Sequence, residues 1–125
     1  MTLTRNPAAP PLRLYCVEDN PLIVFHLEQL IEDAGHVFVG SADSFSQLKM
    51  DAEVAAIDGV LVDIDLADGR TGPDVAAWLK ALGIPSLFVT GQDDVAARYS
   101  DIVRGVINKP VATAGFAEKL ALLRA

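Results

Sequence analysis

Residues 12–21 read LRLYCVEDNP, and this stretch predicts how the rest of the chain folds. Its first six residues are mostly apolar, with aromatic and β-branched members typical of a buried strand. The apolar run stops at Glu18 and Asp19. Asn20 is a good N-cap and Pro21 suits the first helical position, so a helix should begin there. The stretch therefore predicts a strand, a tight turn and a helix.

The same unit recurs along the chain. Further apolar runs predict strands at residues 37–40, 59–64, 86–89 and 103–107. Helices are expected to open at Ser44 with Gln47, at Thr71 with Asp74, at Asp93 and at about Thr113. Strands that are apolar on both faces and alternate with helices favour a parallel sheet covered on both sides. We therefore predict a doubly wound α/β domain with five strands in the order 2-1-3-4-5 and five helices.

Size and composition limit the class of protein. The chain has 125 residues, 51% of them hydrophobic and 22% charged, which suits one globular domain. Residues 1–11 end in a proline-rich run and are expected to form a flexible N-terminal leader before a folded domain at 12–125. The net charge of −7 argues against direct nucleic-acid binding. A single cysteine, Cys16, and the lack of a membrane-length apolar run predict a cytoplasmic protein without membrane contact.

Polar residues follow four of the predicted strands. They are Glu18 and Asp19, Asp63, Thr90, and Lys109. The carboxyl ends of parallel strands meet at one edge, and ligands bind there at the switch point between strands 1 and 3. Carboxylates at that edge repel each other, so a hard divalent cation and Lys109 are expected among them. Asp63 ends the most apolar strand and is the better candidate for a nucleophile toward phosphorus. Thr90 and Lys109 would receive the phosphoryl oxygens, and Gly91 leaves room for the group.

Four segments resemble, in order and spacing, the receiver domain of bacterial two-component response regulators. They are VEDN at 17–20, LVDIDL at 61–66, FVTG at 88–91 and NKP at 108–110. The resemblance covers residues 12–125 and implies the flavodoxin-like receiver fold. It also implies a phosphorylation-dependent signalling protein rather than an enzyme. Because the sequence contains no DNA-binding or enzymatic segment, we expect either the stand-alone, single-domain type or a receiver domain excised from a longer protein.

The resemblance implies a phosphoacceptor and a metal site. Asp63 would accept the phosphoryl group and form an aspartyl phosphate. Mg²⁺ or Mn²⁺ would be bound by Asp19, Asp63 and the backbone carbonyl of Asp65, with Glu18 acting directly or through water.

The resemblance also implies a phosphoryl-binding set and a switch. Lys109 would pair with the phosphoryl group beside Gly91, and Thr90 would move toward it. That movement would change the surface of the fourth strand, fourth helix and fifth strand. Asp65 and Gln92 occupy positions that tune dephosphorylation in this family.

The partners implied by the resemblance are proteins. A sensor histidine kinase or a histidine phosphotransfer protein would supply the phosphoryl group, and a downstream protein of unknown identity would read the change. Phosphorylation-dependent dimerisation through the fourth helix, fifth strand and fifth helix is a further expectation.

Two positions depart from the family pattern. Receivers usually carry an aromatic residue three positions before the lysine, and here that position is Val106. The switch is therefore muted, or it uses Tyr99 or Phe88 instead. The loop at 67–72 lacks the proline commonly found three or four residues after the acceptor, although Gly72 matches the usual glycine.

Two alternatives remain open at this point. One is a receiver that acts as a binding module without phosphorylation, which the valine at position 106 favours. The other is a phosphatase of the haloacid-dehalogenase type, because Asp63-Ile64-Asp65 resembles its first motif. That motif continues with glycine and threonine where this chain has Leu66 and Ala67, and the acidic pair expected after its lysine is missing.

Overall fold

A computed structural model of the chain describes residues 10–51 and 56–124, and residues 1–9 of the expected leader lie outside this part. The strands are β1 (Arg13–Val17), β2 (Val37–Ala42), β3 (Gly59–Val62), β4 (Ser86–Thr90) and β5 (Val106–Asn108). The helices are α1 (Pro21–Asp33), α2 (Phe45–Asp51), α3 (Gly72–Ala81), α4 (Asp93–Arg98) and α5 (Phe116–Ala121). Within the described residues, none of the helices combines the length and apolarity needed to cross a bilayer.

The five strands form one parallel sheet in the order β2-β1-β3-β4-β5. This confirms the predicted α/β class and strand order. The chain reverses its winding direction between β1 and β3, so their carboxyl ends flank the switch point. The register sets Val17 opposite Val62, and Val62 in turn opposite Phe88. The residues that follow these strands therefore emerge at one edge of the sheet.

Alternation along the central strands produces a core on each side of the sheet. In β1, Tyr15 and Val17 face one core, while Leu14 and Cys16 face the other. The first core is covered by buried residues of α2, α3 and α4, and the second by those of α1 and α5. Burying a leucine or valine side chain stabilises the fold by about 1.5–3 kcal/mol, so both faces contribute substantially.

The start of α1 matches the local prediction. Asn20 Oδ1 accepts a hydrogen bond from Leu22 N at 3.0 Å, and Pro21 occupies the first turn. Gly35 follows the end of α1 at φ +87°, a left-handed conformation that glycine adopts without strain. The cap at Ser44 is also present, because its hydroxyl accepts from Gln47 N at 3.0 Å.

Strand ends differ from the prediction. The sequence predicts a fifth strand at 103–107, but β5 spans Val106–Asn108. A short 3₁₀ helix at Ser100–Ile102 precedes it, and the chain first meets β4 when Arg104 N donates to Ser86 O at 2.8 Å. The third strand is predicted to reach residue 64 but ends at Val62. The next two residues already turn toward α3, since Ile64 O accepts from Gly72 N at 2.9 Å.

The third and fourth helices begin where the sequence predicts, but their caps differ, and the last helix begins later than predicted. Thr71 lies at the N-cap of α3, but its hydroxyl donates to Asp68 Oδ1 at 2.7 Å instead of capping the helix. Gln92, and not Asp93, is the N-cap residue of α4, which ends at Arg98. The last helix begins at Phe116, after Gly115 at φ +81°, and not at 113.

Candidate functional site

The sheet brings the polar residues of four strand ends to one edge, as the sequence predicts. Three of these residues each donate one backbone hydrogen bond to a neighbouring strand, just beyond the end of their own strand. Glu18 N donates to Ala42 O and Asp63 N to Val17 O, both at 2.9 Å, and Lys109 N donates to Thr90 O at 3.0 Å. These bonds fix the backbones of the acidic residues and the lysine relative to each other.

Three carboxylates cluster at this edge. Glu18, Asp19 and Asp63 each offer an oxygen, and the three oxygens lie within 4.8 Å of one another. Glu18 and Asp63 are only 3% and 8% exposed, whereas Asp19 faces solvent. Three carboxylates at such distances repel unless cations lie among them.

Lys109 supplies one such cation. Its Nζ lies 3.0 Å from Glu18 Oε1 and 3.0 Å from Asp63 Oδ2. Burial lowers the pKa of Lys109, but the hydrogen bonds and charges of Glu18 and Asp63 outweigh this, so its pKa is raised. Lys109 is therefore firmly charged and bridges the end of β1 to the end of β3.

Glu18 is the carboxylate whose charged form is disfavoured in this arrangement. Burial raises its pKa to about 7, although hydrogen bonds from Lys109 and from Asn20 N, at 3.1 Å, oppose the rise. The charge of Asp63 raises it further. One ammonium thus leaves the three carboxylates with an excess of negative charge.

This donor set fits a hard divalent cation. Carboxylate oxygens are the ligands that Mg²⁺ prefers, and an open side lets the ion keep water molecules. Asp19 is exposed and Asp63 partly reachable, so the cluster has such a side. Asp63 Oδ1 also accepts from Ile64 N at 2.8 Å, which orients its carboxylate. The side chains expected to hold the metal are thus together, and ligation by the Asp65 carbonyl stays a prediction.

Thr90 and Gly91 lie next along the edge. Thr90 is buried, and its hydroxyl accepts from Gln92 N at 3.0 Å, which closes the turn after β4. A Cβ at Gly91 would meet no heavy atom within 4 Å, so open space adjoins this backbone.

Gly72 makes the closest backbone approach at the site. A Cβ there would lie 2.2 Å from Asp63 O and 2.4 Å from Ile64 Cα. Only glycine lets the start of α3 come this close to the backbone of Asp63. The structure therefore gives a steric reason for the glycine that the sequence resemblance expects here.

The expected switch residues lie in different surroundings. Val106 is partly buried against the core under α3 and α4, opposite Phe88 in the β4–β5 register. Phe88 has no exposed surface, whereas Tyr99, just after α4, is 37% exposed. Of the two aromatic alternatives, Tyr99 is the one at the surface.

Arg70 is a site residue that the sequence reasoning missed. Its Nε lies 3.0 Å from Asp65 Oδ1, and its Nη2 donates to Gln92 Oε1 at 2.9 Å. The hydrogen bond from Arg70 is the main cause that lowers the pKa of Asp65. A lone basic residue in an otherwise acidic loop is the signal that could have drawn attention to it.

Fold and edge together define a receiver-type signalling domain. Residues 14–121 match the response regulator receiver domain, and the chain belongs to that family. Members of this family are signalling regulators and not enzymes, which sets the phosphatase alternative aside. Receiver domains typically bind Mg²⁺ at an acidic pocket, consistent with the donor set at this edge.

Several proteins are similar to this chain in structure or in sequence. SdrG from Sphingomonas melonis Fr1 is 34% identical with a TM-score of 0.77, and the match covers 94% of this chain and 99% of that one. The REC domain of the Erythrobacter litoralis PhyR response regulator is 26% identical with a TM-score of 0.80, over 94% and 92% of the two chains. The phyllosphere-induced regulator PhyR of Methylorubrum extorquens is 40% identical over 76 residues, which span 59% of this chain and 28% of that longer protein.

Proposed function

We propose that the protein is a phosphorylation-dependent switch in which Asp63 accepts a phosphoryl group from a phosphohistidine. The observation that carries the proposal is the setting of the Asp63 carboxylate. It lies 3.0 Å from the Lys109 ammonium and within 4.8 Å of oxygens from Glu18 and Asp19. A nucleophilic carboxylate between a fixed cation and a metal-binding donor set suits phosphoryl transfer.

In the proposed reaction, a carboxylate oxygen of Asp63 forms a bond to phosphorus. The bond from phosphorus to the histidine nitrogen breaks, and its electron pair stays on the imidazole. Lys109 stabilises the negative charge of the transferred oxygens. Mg²⁺ or Mn²⁺, held by Asp19, Asp63 and the Asp65 carbonyl with Glu18 directly or through water, would supply further positive charge to those oxygens.

Thr90 and Lys109 would read the phosphoryl group after transfer, and Gly91 leaves space for it. As it moves toward the group, the Thr90 hydroxyl would give up its hydrogen bond from Gln92 N. That change would reposition α4, a helix of six residues between β4 and the 3₁₀ helix. The added phosphoryl charge would thereby shift α4 between two positions, as charge-driven switches generally do.

The proposed partners follow from this chemistry. A sensor histidine kinase or a histidine phosphotransfer protein would deliver the phosphoryl group in the cytoplasm. A downstream protein would bind the changed surface of β4, α4 and β5, and a second phosphorylated copy could pair through α4, β5 and α5. Asp65 and Gln92 would set how long the phosphoryl group persists. Residues 12–125 would form the receiver domain, after the leader at 1–11.

Intact mass after incubation with acetyl phosphate and Mg²⁺ tests the proposal. We expect the wild-type chain to gain one phosphoryl group and to gain none when a chelator removes Mg²⁺. Asp63→Asn should gain none, because an amide is a poor nucleophile. Asp101→Asn, which changes an exposed carboxyl outside the cluster, should behave as wild type. Phosphoryl uptake by Asp63→Asn would contradict the assignment.

A receiver that binds partners without phosphorylation is the second candidate. The observation that favours it is Val106, which supplies no aromatic side chain to follow Thr90. This candidate predicts no mass gain in wild type under any metal condition, so the same assay separates the two.

A further inference from the structure

A ring of three side chains joins the loop after β3 to the loop after β4. Arg70 Nε donates to Asp65 Oδ1 at 3.0 Å, and Arg70 Nη2 donates to Gln92 Oε1 at 2.9 Å. Gln92 Nε2 closes the ring by donating to Asp65 Oδ2. Both oxygens of the Asp65 carboxylate and both ends of the Gln92 amide are therefore engaged.

The ring adjoins the acidic edge on two sides. Asp65 follows Asp63 by two residues, and the charge of Lys109 contributes to lowering the pKa of Asp65 after the larger effect of Arg70. On the other side, Gln92 N donates to Thr90 Oγ1 at 3.0 Å. The ring thus links the loop that follows Asp63 to the turn that follows Thr90.

Arg70 extends from a loop that is anchored at its other side. Asp68 accepts hydrogen bonds from Phe45 N and Ser46 N, each at 3.3 Å, and from the Thr71 hydroxyl. The loop is therefore fixed to the start of α2. The side chains of Arg70 and Asp65 are 55% and 53% exposed, and a surface ion pair of this kind adds little stability. The ring instead fixes the positions of the Asp65, Arg70 and Gln92 side chains.

We propose that Arg70 is a positioning residue that holds the Asp65 carboxylate away from hydrolytic water and so prolongs the aspartyl phosphate on Asp63. The inference rests on the proposed function and deepens it. A guanidinium suits this role because its fixed fork can bind two acceptors at once. With Arg70 in place, both Asp65 oxygens and both ends of the Gln92 amide make hydrogen bonds within the ring, which holds the Asp65 carboxylate in one orientation.

The step that Arg70 slows is hydrolysis of the acyl phosphate. A water oxygen forms a bond to phosphorus, and the bond from phosphorus to the Asp63 oxygen breaks. Its electron pair returns to Asp63 as a carboxylate, inorganic phosphate leaves, and the proton released by the water passes to solvent. A free Asp65 carboxylate would accept a hydrogen bond from the attacking water and orient it.

The decay of the phosphorylated chain, followed by intact mass after removal of acetyl phosphate, tests the inference. We expect Arg70→Ala to shorten the lifetime about tenfold, less than the roughly hundredfold of a well-positioned general base. The double variant Asp65→Ala/Arg70→Ala should decay at the rate of Asp65→Ala alone, because Arg70 acts through Asp65. Arg104→Ala removes a guanidinium that donates to Leu122 O at 3.3 Å, before β5, and should decay as wild type.

Amide hydrogen exchange on metal-free, unphosphorylated protein gives a second readout. Arg70→Ala and Asp65→Ala should each raise exchange in the turn after β4 and the first turn of α4, where Gln92 is tied to the ring. Arg104→Ala should leave exchange there unchanged.

The outcomes separate this inference from the proposed function. If wild type takes up phosphate but Arg70→Ala decays at the wild-type rate, only the role of Arg70 is overturned. If Arg70→Ala accelerates decay equally with and without Asp65, the action through Asp65 is overturned. A wild-type chain that takes up no phosphate overturns both.

Discussion

At the scale of single residues, the charges around Lys109 decide the chemistry of the edge. Its ammonium faces the buried carboxylates of Glu18 and Asp63 at 3.0 Å each. Removing one partner of a buried ion pair leaves uncompensated charge, which costs more than the pair itself contributes. Lys109 is 24% exposed, so water reduces this cost without removing it.

We predict that Lys109→Ala lowers the free energy of unfolding by about 2 kcal/mol in metal-free buffer. Mg²⁺ should recover part of this loss, because the uncompensated carboxylates then bind the cation more tightly. Urea unfolding with and without Mg²⁺ measures both effects. Lys119→Ala, on the exposed face of α5, is the control and should change neither value. An equal gain from Mg²⁺ in wild type and Lys109→Ala would contradict the electrostatic account.

Residue types at the strand ends were predictable from sequence, but their pairings were not. The runs before Glu18, Asp63 and Lys109 indicate strands, and a parallel sheet brings their ends together. The bond from Arg70 to Gln92 crosses 22 positions and depends on two loops, so no local pattern reports it. For the same reason, Asp65 and Gln92 were assigned through family resemblance, while Arg70 was missed.

At the scale of elements, the β3–α3 connection holds Asp63 in place. Gly72 N donates to Ile64 O at 2.9 Å, and the helix that begins at Gly72 lies directly against the backbone of Asp63. The contact involves main-chain atoms on both sides, so rotation of a side chain cannot relieve an added Cβ. The position of Asp63 therefore depends on a glycine nine residues later.

We predict that Gly72→Ala lowers the free energy of unfolding by about 3 kcal/mol, because the added Cβ collides with Asp63 O and Ile64 Cα. Gly91→Ala is the matched control, since its Cβ meets nothing within 4 Å and its φ lies outside the left-handed region. Urea unfolding midpoints compare the two variants. Equal stability of both would contradict the steric account of this connection.

Element boundaries were predictable where the signal was local. The cap at Asn20 and the left-handed Gly35 set the limits of α1 within its own sequence. The start of β5 depends on where the chain first pairs with β4. The apolar run at 103–107 does not indicate that position. Thr71 was expected to cap α3, but its hydroxyl donates to Asp68, three residues earlier. Contacts between this loop and α2 place Asp68 there, and the local sequence does not show them.

At the scale of the whole molecule, the two faces of the sheet form the hydrophobic cores, and its carboxyl edge holds the acidic cluster. Alternating side chains of β1 and β3 build a core on each side, which leaves the carboxyl edge free for charged groups. The parallel sheet was predictable because strands that are apolar on both faces require helices on both sides. Its strand order was predicted as the common one for a small sheet of this kind. The edge then combines residues from four strands, and no single segment contains the site.

The central claim is that Asp63, among several neighbouring carboxylates, carries the phosphoryl group. Reduction of the phosphorylated chain with borohydride converts an aspartyl phosphate to homoserine, and peptide mass spectrometry then locates the modified position. We predict homoserine at position 63 alone, in chains phosphorylated with Mg²⁺ present. Homoserine at 19 or 65, or none in a chain that gains a phosphoryl group, would contradict the account.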